Sequence, residues 1–278
     1  MLDNNPTIAV IMAVYKKDRP ELLRKALKSI VEQTYPSKNV RIYLGIDGEI
    51  SKDLETIIKS YTFFYTIKNK KNIGLGPTLN KLVNALENEE FVFRMDADDI
   101  SMRNRFELQI KYLLENPKVD ILGTALLEVN EKDERIGLRT YPNAGIREYI
   151  AKAAPVAHPT VCFRRRVFKI INYSSTIRLN EDIDLWFKAL KNDFIFDNLP
   201  KVLYKYLINN SFYKRRSYDK SFSEFGVYIK GIWSLHRISL LYVFPVARLI
   251  FRLLPRCLVK SIYNSNLRKT LLNTMTIQ

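Results

Sequence analysis

Between residues 8 and 95, short apolar runs alternate with stretches of helical period, and few folds accept that alternation. Ile8 to Val14 is apolar throughout, as a strand covered on both faces must be. Pro20 then opens a stretch with Leu22, Leu23, Ala26, Leu27, Ile30 and Val31 at helical spacing. Val40 to Ile46, Thr62 to Ile67 and Phe91 to Met95 read as further strands. Leu54 to Ser60 reads as a helix, as does the stretch entered at Pro77 and carrying Leu79, Leu82, Val83 and Leu86. Such a series predicts an α/β protein with a mostly parallel sheet and helices on both faces. Right-handed crossovers then set every strand C-terminus along one edge, where ligands bind.

The second half is less regular. Arg103 to Glu115 reads as a helix, with Asp99 or Ser101 available to cap it, and Ile121 to Val129 as extended. Val161 to Arg165 follows the Pro155 to Pro159 loop as another extended piece. Asn180 is placed to cap a helix holding Glu181, Asp182, Asp184, Leu185, Trp186 and Leu190, and Phe194 to Phe196 and Val202 to Leu207 suit edge strands. At 278 residues and 47% hydrophobic, the chain suits one ordinary domain with an appendage and no extended disorder. Cys162 and Cys257 stand far apart with no zinc spacing, so reduced thiols in a cytosolic compartment are expected. Met1 to Thr7 lacks the basic start of a secretion signal, and the apolar segment after it is too short to span a membrane.

Chemistry concentrates where strands are predicted to end. Phe91 to Met95 runs into Asp96, Ala97, Asp98 and Asp99, and carboxylates this close repel unless something positive sits among them. A hard divalent ion, Mg²⁺ or Mn²⁺, suits such oxygen donors and shares its shell with phosphate. Asp47 closes the Val40 to Ile46 run, so two separate pieces of sequence carry acidic groups to the same predicted crevice. The Asn72-Ile73-Gly74-Leu75-Gly76 stretch is not a dinucleotide fingerprint, because Leu79 stands where a third glycine or alanine belongs.

Taken in order, the strand ending in Ala13-Val14-Tyr15, the Asp47-Gly48 pair, Asn72-x-Gly74-x-Gly76 with Asn80, Asp96-x-Asp98-Asp99 and Glu181-Asp182-x-Asp184-Leu185-Trp186 resemble the family 2 glycosyltransferases of the GT-A fold. The resemblance covers roughly residues 6–208 and is nearest the bacterial branch that extends lipid-linked O-antigen or exopolysaccharide repeat units. It implies inverting transfer of a hexose, glucose or galactose, from a UDP-sugar to a sugar on undecaprenyl diphosphate, commonly in β1,3 linkage, with Mn²⁺ or Mg²⁺ as cofactor. It also implies that Ala13, Val14 and Tyr15 line the nucleoside pocket, that Asp47 contacts uracil, and that Asn72 and Gly74 shape the nucleotide pocket. Asp98 is then the direct metal ligand, Asp96 lies near ribose and metal, and Asp182 is the general base. A departing nucleoside diphosphate needs a nearby cation, and a sugar hydroxyl needs a carboxylate away from the metal to take its proton. Glu181 and Asp182 equally suit simple stabilisation of a helix N-terminus. His158 is read as a contact for acceptor or metal, or as a neutral hydrogen-bond partner. Arg215 and Arg216, with Lys214, are read as a basic loop over the diphosphate, or as a solvated run.

Charge divides the chain. Residues 201–278 hold 14 of the 45 Lys and Arg against only Asp219 and Glu224. That is +12 of the net +16, so a catalytic body over 1–208 and a basic helical segment over 209–278 are expected. Ile232 to Pro255 is apolar but interrupted by Arg237, Pro245, Arg248 and Arg252, which suits an interfacial helix better than a spanning one. Peripheral attachment to an anionic surface, the cytoplasmic face of the inner membrane, follows, with Arg248 and Arg252 toward lipid; the alternative is a helical hairpin packed on the body. Two rival activities fit parts of the pattern: an Asp-x-Asp phosphohydrolase, disfavoured by Ile100 and by the lack of its partner motifs, and a non-enzymatic basic binding protein, disfavoured by the lack of any nucleic-acid module.

Overall fold

The computed structural model describes residues 5–177, 179–208 and 218–253. In chain order the first half gives β1 (Ile8–Val14), α1 (Pro20–Val31), β2 (Val40–Ile46), α2 (Lys52–Lys59), β3 (Tyr65–Lys68), α3 (Leu75–Asn84) and β4 (Phe91–Met95). These strands form a parallel quartet ordered β3-β2-β1-β4. The second half adds β5 (Ile100–Ser101), α4 (Arg105–Glu115), β6 (Ile121–Val129), β7 (Arg135–Arg139), α5 (Ile146–Tyr149), β8 (Cys162–Arg164), α6 (Glu181–Lys191) and β9 (Phe196–Leu207). Beyond β4 the sheet becomes mixed: β8 runs antiparallel to both β4 and β6, β9 is parallel to β6, and β5 and β7 pair antiparallel with β9 and β6.

β1 shows why its sequence is apolar at every position. Ile8, Val10, Met12 and Val14 point into the layer holding Leu23 and Leu27 of α1, Leu54 of α2 and Phe106 of α4. Ala9 and Ile11 point into the opposite layer, with Leu79 and Leu82 of α3 and Trp186 and Leu190 of α6. A strand feeding two cores has no solvent face, and each large side chain so buried contributes about 1.5–3 kcal/mol.

Several details differ from the sequence reading. β3 starts at Tyr65, because only the Tyr43–Ile46 end of β2 is available to pair with it. Neither Asp99 nor Ser101 caps α4: Ile100 and Ser101 pair with β9, Met102 N–H donates to Leu203 O at 2.9 Å, and a helix cannot begin until that sheet bonding ends. The two expected edge strands are one interior strand, β9, flanked by β6 and β5. Its register slips between Leu199 and Val202, at Pro200, which has no N–H to give the ladder. Asn180 stands at the N-cap of α6, but with φ 64° and without a side-chain capping bond.

The C-terminal helices α7 (Tyr218–His236) and α8 (Val243–Leu253) form a hairpin, with α7 lying on α6. Gly231 permits this, since a Cβ there would fall 2.2 Å from the Phe187 ring, and Tyr228 meets the same ring edge-on at 5.7 Å. Arg248 and Arg252 do not face outward. Both pair with Glu224, at 3.2 and 2.5 Å, and Arg248 covers the Tyr228 ring at 4.3 Å, so the expected lipid-facing arginines are internal ties of the hairpin. Among the described residues no helix is long and apolar enough to cross a membrane.

Candidate active site

Because β3, β2, β1 and β4 run parallel side by side, the residues that follow them, Asn69, Asp47, Tyr15 and Asp96, line up along one sheet edge. The loop from Asn69 to Gly74 is shaped by Asp47. Its Oδ1 accepts from Ile73 N–H (2.8 Å) and Asn69 Nδ2 (3.0 Å), its Oδ2 from Gly74 N–H (2.9 Å), and its carbonyl from Asn72 Nδ2 (3.3 Å). Asp47 is buried, and these bonds make it the anchor of the loop that leads into α3. Gly74 adopts φ 101°, a left-handed value that a side chain resists, and thereby turns the loop into α3. Val14 is fully buried in the core beneath α1, leaving only its backbone for a pocket, whereas Tyr15 is exposed at the strand exit.

The acidic cluster stands at the end of β4. Carboxylate oxygens of Asp96, Asp98 and Asp99 all lie within 4.8 Å of one another. Asp99, read from sequence both as part of this cluster and as a possible helix cap, is almost wholly buried. Its Oδ1 accepts from Leu207 N–H at 2.8 Å, and its Oδ2 is buried without a hydrogen-bond partner among the described residues. Burial first, then the charges of Asp96 and Asp98, push the Asp99 carboxyl well above the usual range. A buried orphan oxygen in a crowded all-oxygen set is what a divalent cation would complete, so these residues fit Mg²⁺ or Mn²⁺.

Arg94 underlies the cluster. It is buried within β4, its guanidinium bonds Asp96, and its Nε and Nη1 have no partner among the described residues. Burial is the largest influence and would lower its pKa, but the charge and hydrogen bond of Asp96, with Tyr204 and Tyr173, together raise it. The Tyr204 hydroxyl oxygen accepts from Asp96 N–H at 3.2 Å.

The second acidic group is the first turn of α6. Gly76 links it to the loop that Asp47 anchors, because a Cβ there would come within 3.2 Å of Tyr173 and 3.5 Å of Glu181. Asn80 holds the Tyr173 backbone on both sides, donating to its carbonyl at 2.8 Å and accepting from its N–H at 3.0 Å. The Tyr173 hydroxyl pairs with His158 Nε2 at 2.8 Å. Burial raises the Tyr173 pKa, Arg94 opposes this, and Glu181, Asp182 and Asp96 add to it, so both acidic groups act on one buried hydroxyl. His158 is itself buried, between Tyr173 and Trp186, and burial followed by Arg94 holds it well below its ordinary pKa. Of its two sequence readings, the structure places it as the neutral hydrogen-bond partner of Tyr173. Arg215 and Arg216 lie outside the described residues.

Residues 9–171 match the model of the family described as glycosyl transferase family 2. The chain belongs to that family. As a family 2 protein it is a glycosyltransferase, which sets its Asp-rich strand exit apart from phosphohydrolase chemistry. It is 31% identical over 98% of its length, and all of the relative's, to the UDP-Gal:alpha-D-GlcNAc-diphosphoundecaprenol beta-1,3-galactosyltransferase of Escherichia coli. It is also 33% identical to the O-antigen biosynthesis glycosyltransferase WbnJ of Escherichia coli, over 73% of this chain and 80% of that one. Among solved structures it resembles Staphylococcus aureus TarS 1–349 in complex with UDP-GlcNAc, at a TM-score of 0.65, 16% identity and coverage of 98% of this chain and 76% of that one. That likeness bears on the fold, which is GT-A.

Arg94 and Tyr173 stand beside the acidic groups, and motif reading did not single them out. For Arg94 a signal existed: an arginine inside an otherwise apolar strand run requires a buried acidic partner. Tyr173 carries no sequence signal, since its place depends on Asn80, which lies 93 residues away.

Proposed function

We propose that this family 2 glycosyltransferase is a divalent-metal-dependent, inverting hexosyltransferase. It moves galactose or glucose from a UDP-sugar to an N-acetylhexosamine on undecaprenyl diphosphate, in the assembly of O-antigen or exopolysaccharide units. The observation that carries this is the trio Asp96, Asp98 and Asp99 at the carboxyl edge of the sheet, with one oxygen buried and unsatisfied. The named activity of the Escherichia coli galactosyltransferase supports the donor, the lipid diphosphate and the β1,3 linkage.

The residues divide the work. Asp98 and Asp96 hold the metal, Mn²⁺ or Mg²⁺, and Asp99 completes the set. When bound, the metal neutralises the charge that grows on the departing diphosphate. Arg94 pairs with Asp96 and orients it from below. Asp47 sets the loop in which Asn72 and Gly74 border the nucleotide, while Ala13, the Val14 backbone and Tyr15 border the nucleoside. Asp182, on the opposite acidic group, takes the proton of the acceptor hydroxyl as that oxygen attacks the anomeric carbon opposite the leaving phosphate. His158 and Asn80 fix Tyr173 between the two groups. Arg215 and Arg216 supply cationic charge suited to the diphosphate, and the enzyme works on the cytoplasmic face of the inner membrane, where its lipid-linked acceptor lies.

The test is a panel of UDP-hexoses with a synthetic N-acetylglucosaminyl lipid diphosphate, with and without EDTA, and the anomeric form of the product read by NMR. A β-linked product from the α-linked donor, lost with EDTA and restored by Mn²⁺, is expected. Transfer indifferent to EDTA would remove the metal, and an α-linked product would remove inversion.

A further inference from the structure

α8 has its polarity inverted for a helix in water. Its two charged residues, Arg248 and Arg252, turn inward to Glu224. The opposite side carries Val243, Val246, Ile250 and Leu253, between 39% and 59% exposed, with Ala247 also exposed among them. Positions spaced i, i+3, i+7 and i+10 fall on one helical stripe, so this face is continuous, apolar and uncharged. Just ahead of it, in the turn from α7, Ile238 and Leu240 are each 93% exposed. A contiguous apolar patch of this kind marks a surface that something covers.

Charge selects the occupant. No acidic residue follows Glu224 in the sequence, and that carboxylate is already neutralised by two arginines. Arg237 precedes the stripe, and Arg256, Lys260, Arg268 and Lys269 follow it. An apolar face whose flanking sequence carries only cations is disfavoured from pairing with a second copy of itself and is complementary to anionic lipid. We propose that the outer face of α8, with Ile238 and Leu240, inserts among the acyl chains of an anionic bilayer, so that the hairpin enters the membrane through apolar side chains and its helix arginines brace it from behind. This rests on the membrane-surface reading above and deepens it by naming the surface and its mode of contact.

Two measurements on the full chain test it, one by sedimentation with vesicles of phosphatidylglycerol and phosphatidylethanolamine and one with a fluorescent reporter. Wild type is expected to sediment with these vesicles and to stay bound in about 1 M salt, where charges are screened within about 3 Å. Val246→Asp with Ile250→Asp is expected to lower partitioning by about tenfold or more, and Val246→Asn with Ile250→Asn to lower it less. Both pairs lie on the exposed face, and unchanged circular dichroism melts confirm that folding is intact. An environment-sensitive fluorophore on Ile250→Cys, in a Cys257→Ser background, is expected to report water without vesicles and hydrocarbon with them. Release of wild type by salt combined with indifference to the double substitutions would mean adsorption by cations alone and overturn the proposal. A reporter already shielded without vesicles would mean that the rest of the chain or a second copy covers the face, which also overturns it. Hexose transfer to a water-soluble acceptor is expected to be unchanged in the Asp pair. Its absence in wild type would sink the catalytic reading while leaving the vesicle result standing.

Discussion

The two acidic groups of this protein use the same side chains in opposite settings. Asp96, Asp98 and Asp99 are crowded at a strand exit, one of them buried with an unsatisfied oxygen, and the Arg94 tie goes to Asp96. Glu181 and Asp182 occupy the first turn of an 11-residue helix, at the end that carries the partial positive charge of the macrodipole. The first group is incomplete without a cation. The second lies at a helix end, apart from the crowded trio, on the side where we propose that the acceptor's proton is taken. Crowded carboxylates suit metal binding, whereas a carboxylate standing apart from the metal suits the acceptor side, its position and not the helix end being what favours that role.

The largest effects should come from exchanging these roles. Asp98→Ala is expected to bring hexose transfer to background and to abolish Mn²⁺-dependent binding of UDP, measured by calorimetry, because several kcal/mol of leaving-group stabilisation goes with the metal. Retention of most activity would show that the crowded group is not the metal site. Asp182→Asn is expected to lower kcat by about 10²–10⁴-fold while leaving the affinity for UDP and Mn²⁺ unchanged, since a general base acts only on the acceptor. Equal losses of donor affinity in both variants would erase the distinction between the groups.

How much of this was legible in sequence follows the same divide between local and distant causes. The β1 to β4 series was readable because each strand and helix carries its own period and its own ending, and parallel connection then fixes which ends meet. Asp96 and Asp98 could be placed for that reason. The second half was harder because its pairings are set at a distance: Ile100 and Ser101 become a strand only because β9 arrives 103 or more residues later, and Pro200 merely slips the register of that strand instead of ending it. The same strand takes Asp99 out of its expected capping role, by presenting Leu207 N–H to it. The tail shows the converse limit. Its composition revealed an amphipathic helix, but which side faced outward depended on Glu224, and the arginines turned in.

The smallest expected effect sharpens the comparison most directly, because it separates the strain of the crowded group from its use. Asp99→Asn keeps an oxygen to accept from Leu207 N–H and replaces the orphan carboxylate oxygen with an amide that can donate to Asp96 or Asp98. In wild type the folded Asp99 carboxyl has a raised pKa, so over the window between its unfolded and folded values the native state binds more protons than the unfolded state. Stability without metal therefore falls as pH rises through that window and stays reduced above it. The Asn variant lacks this penalty, and at neutral pH without metal its Tm should rise by about 2–4 °C for each kcal/mol relieved. With saturating Mn²⁺ the order should reverse, because wild type gains the stabilisation of a bound ion and the variant loses part of it. A variant whose Tm is lower than wild type in EDTA would show that Asp99 is a satisfied structural carboxylate, and the two acidic groups would then differ in position alone.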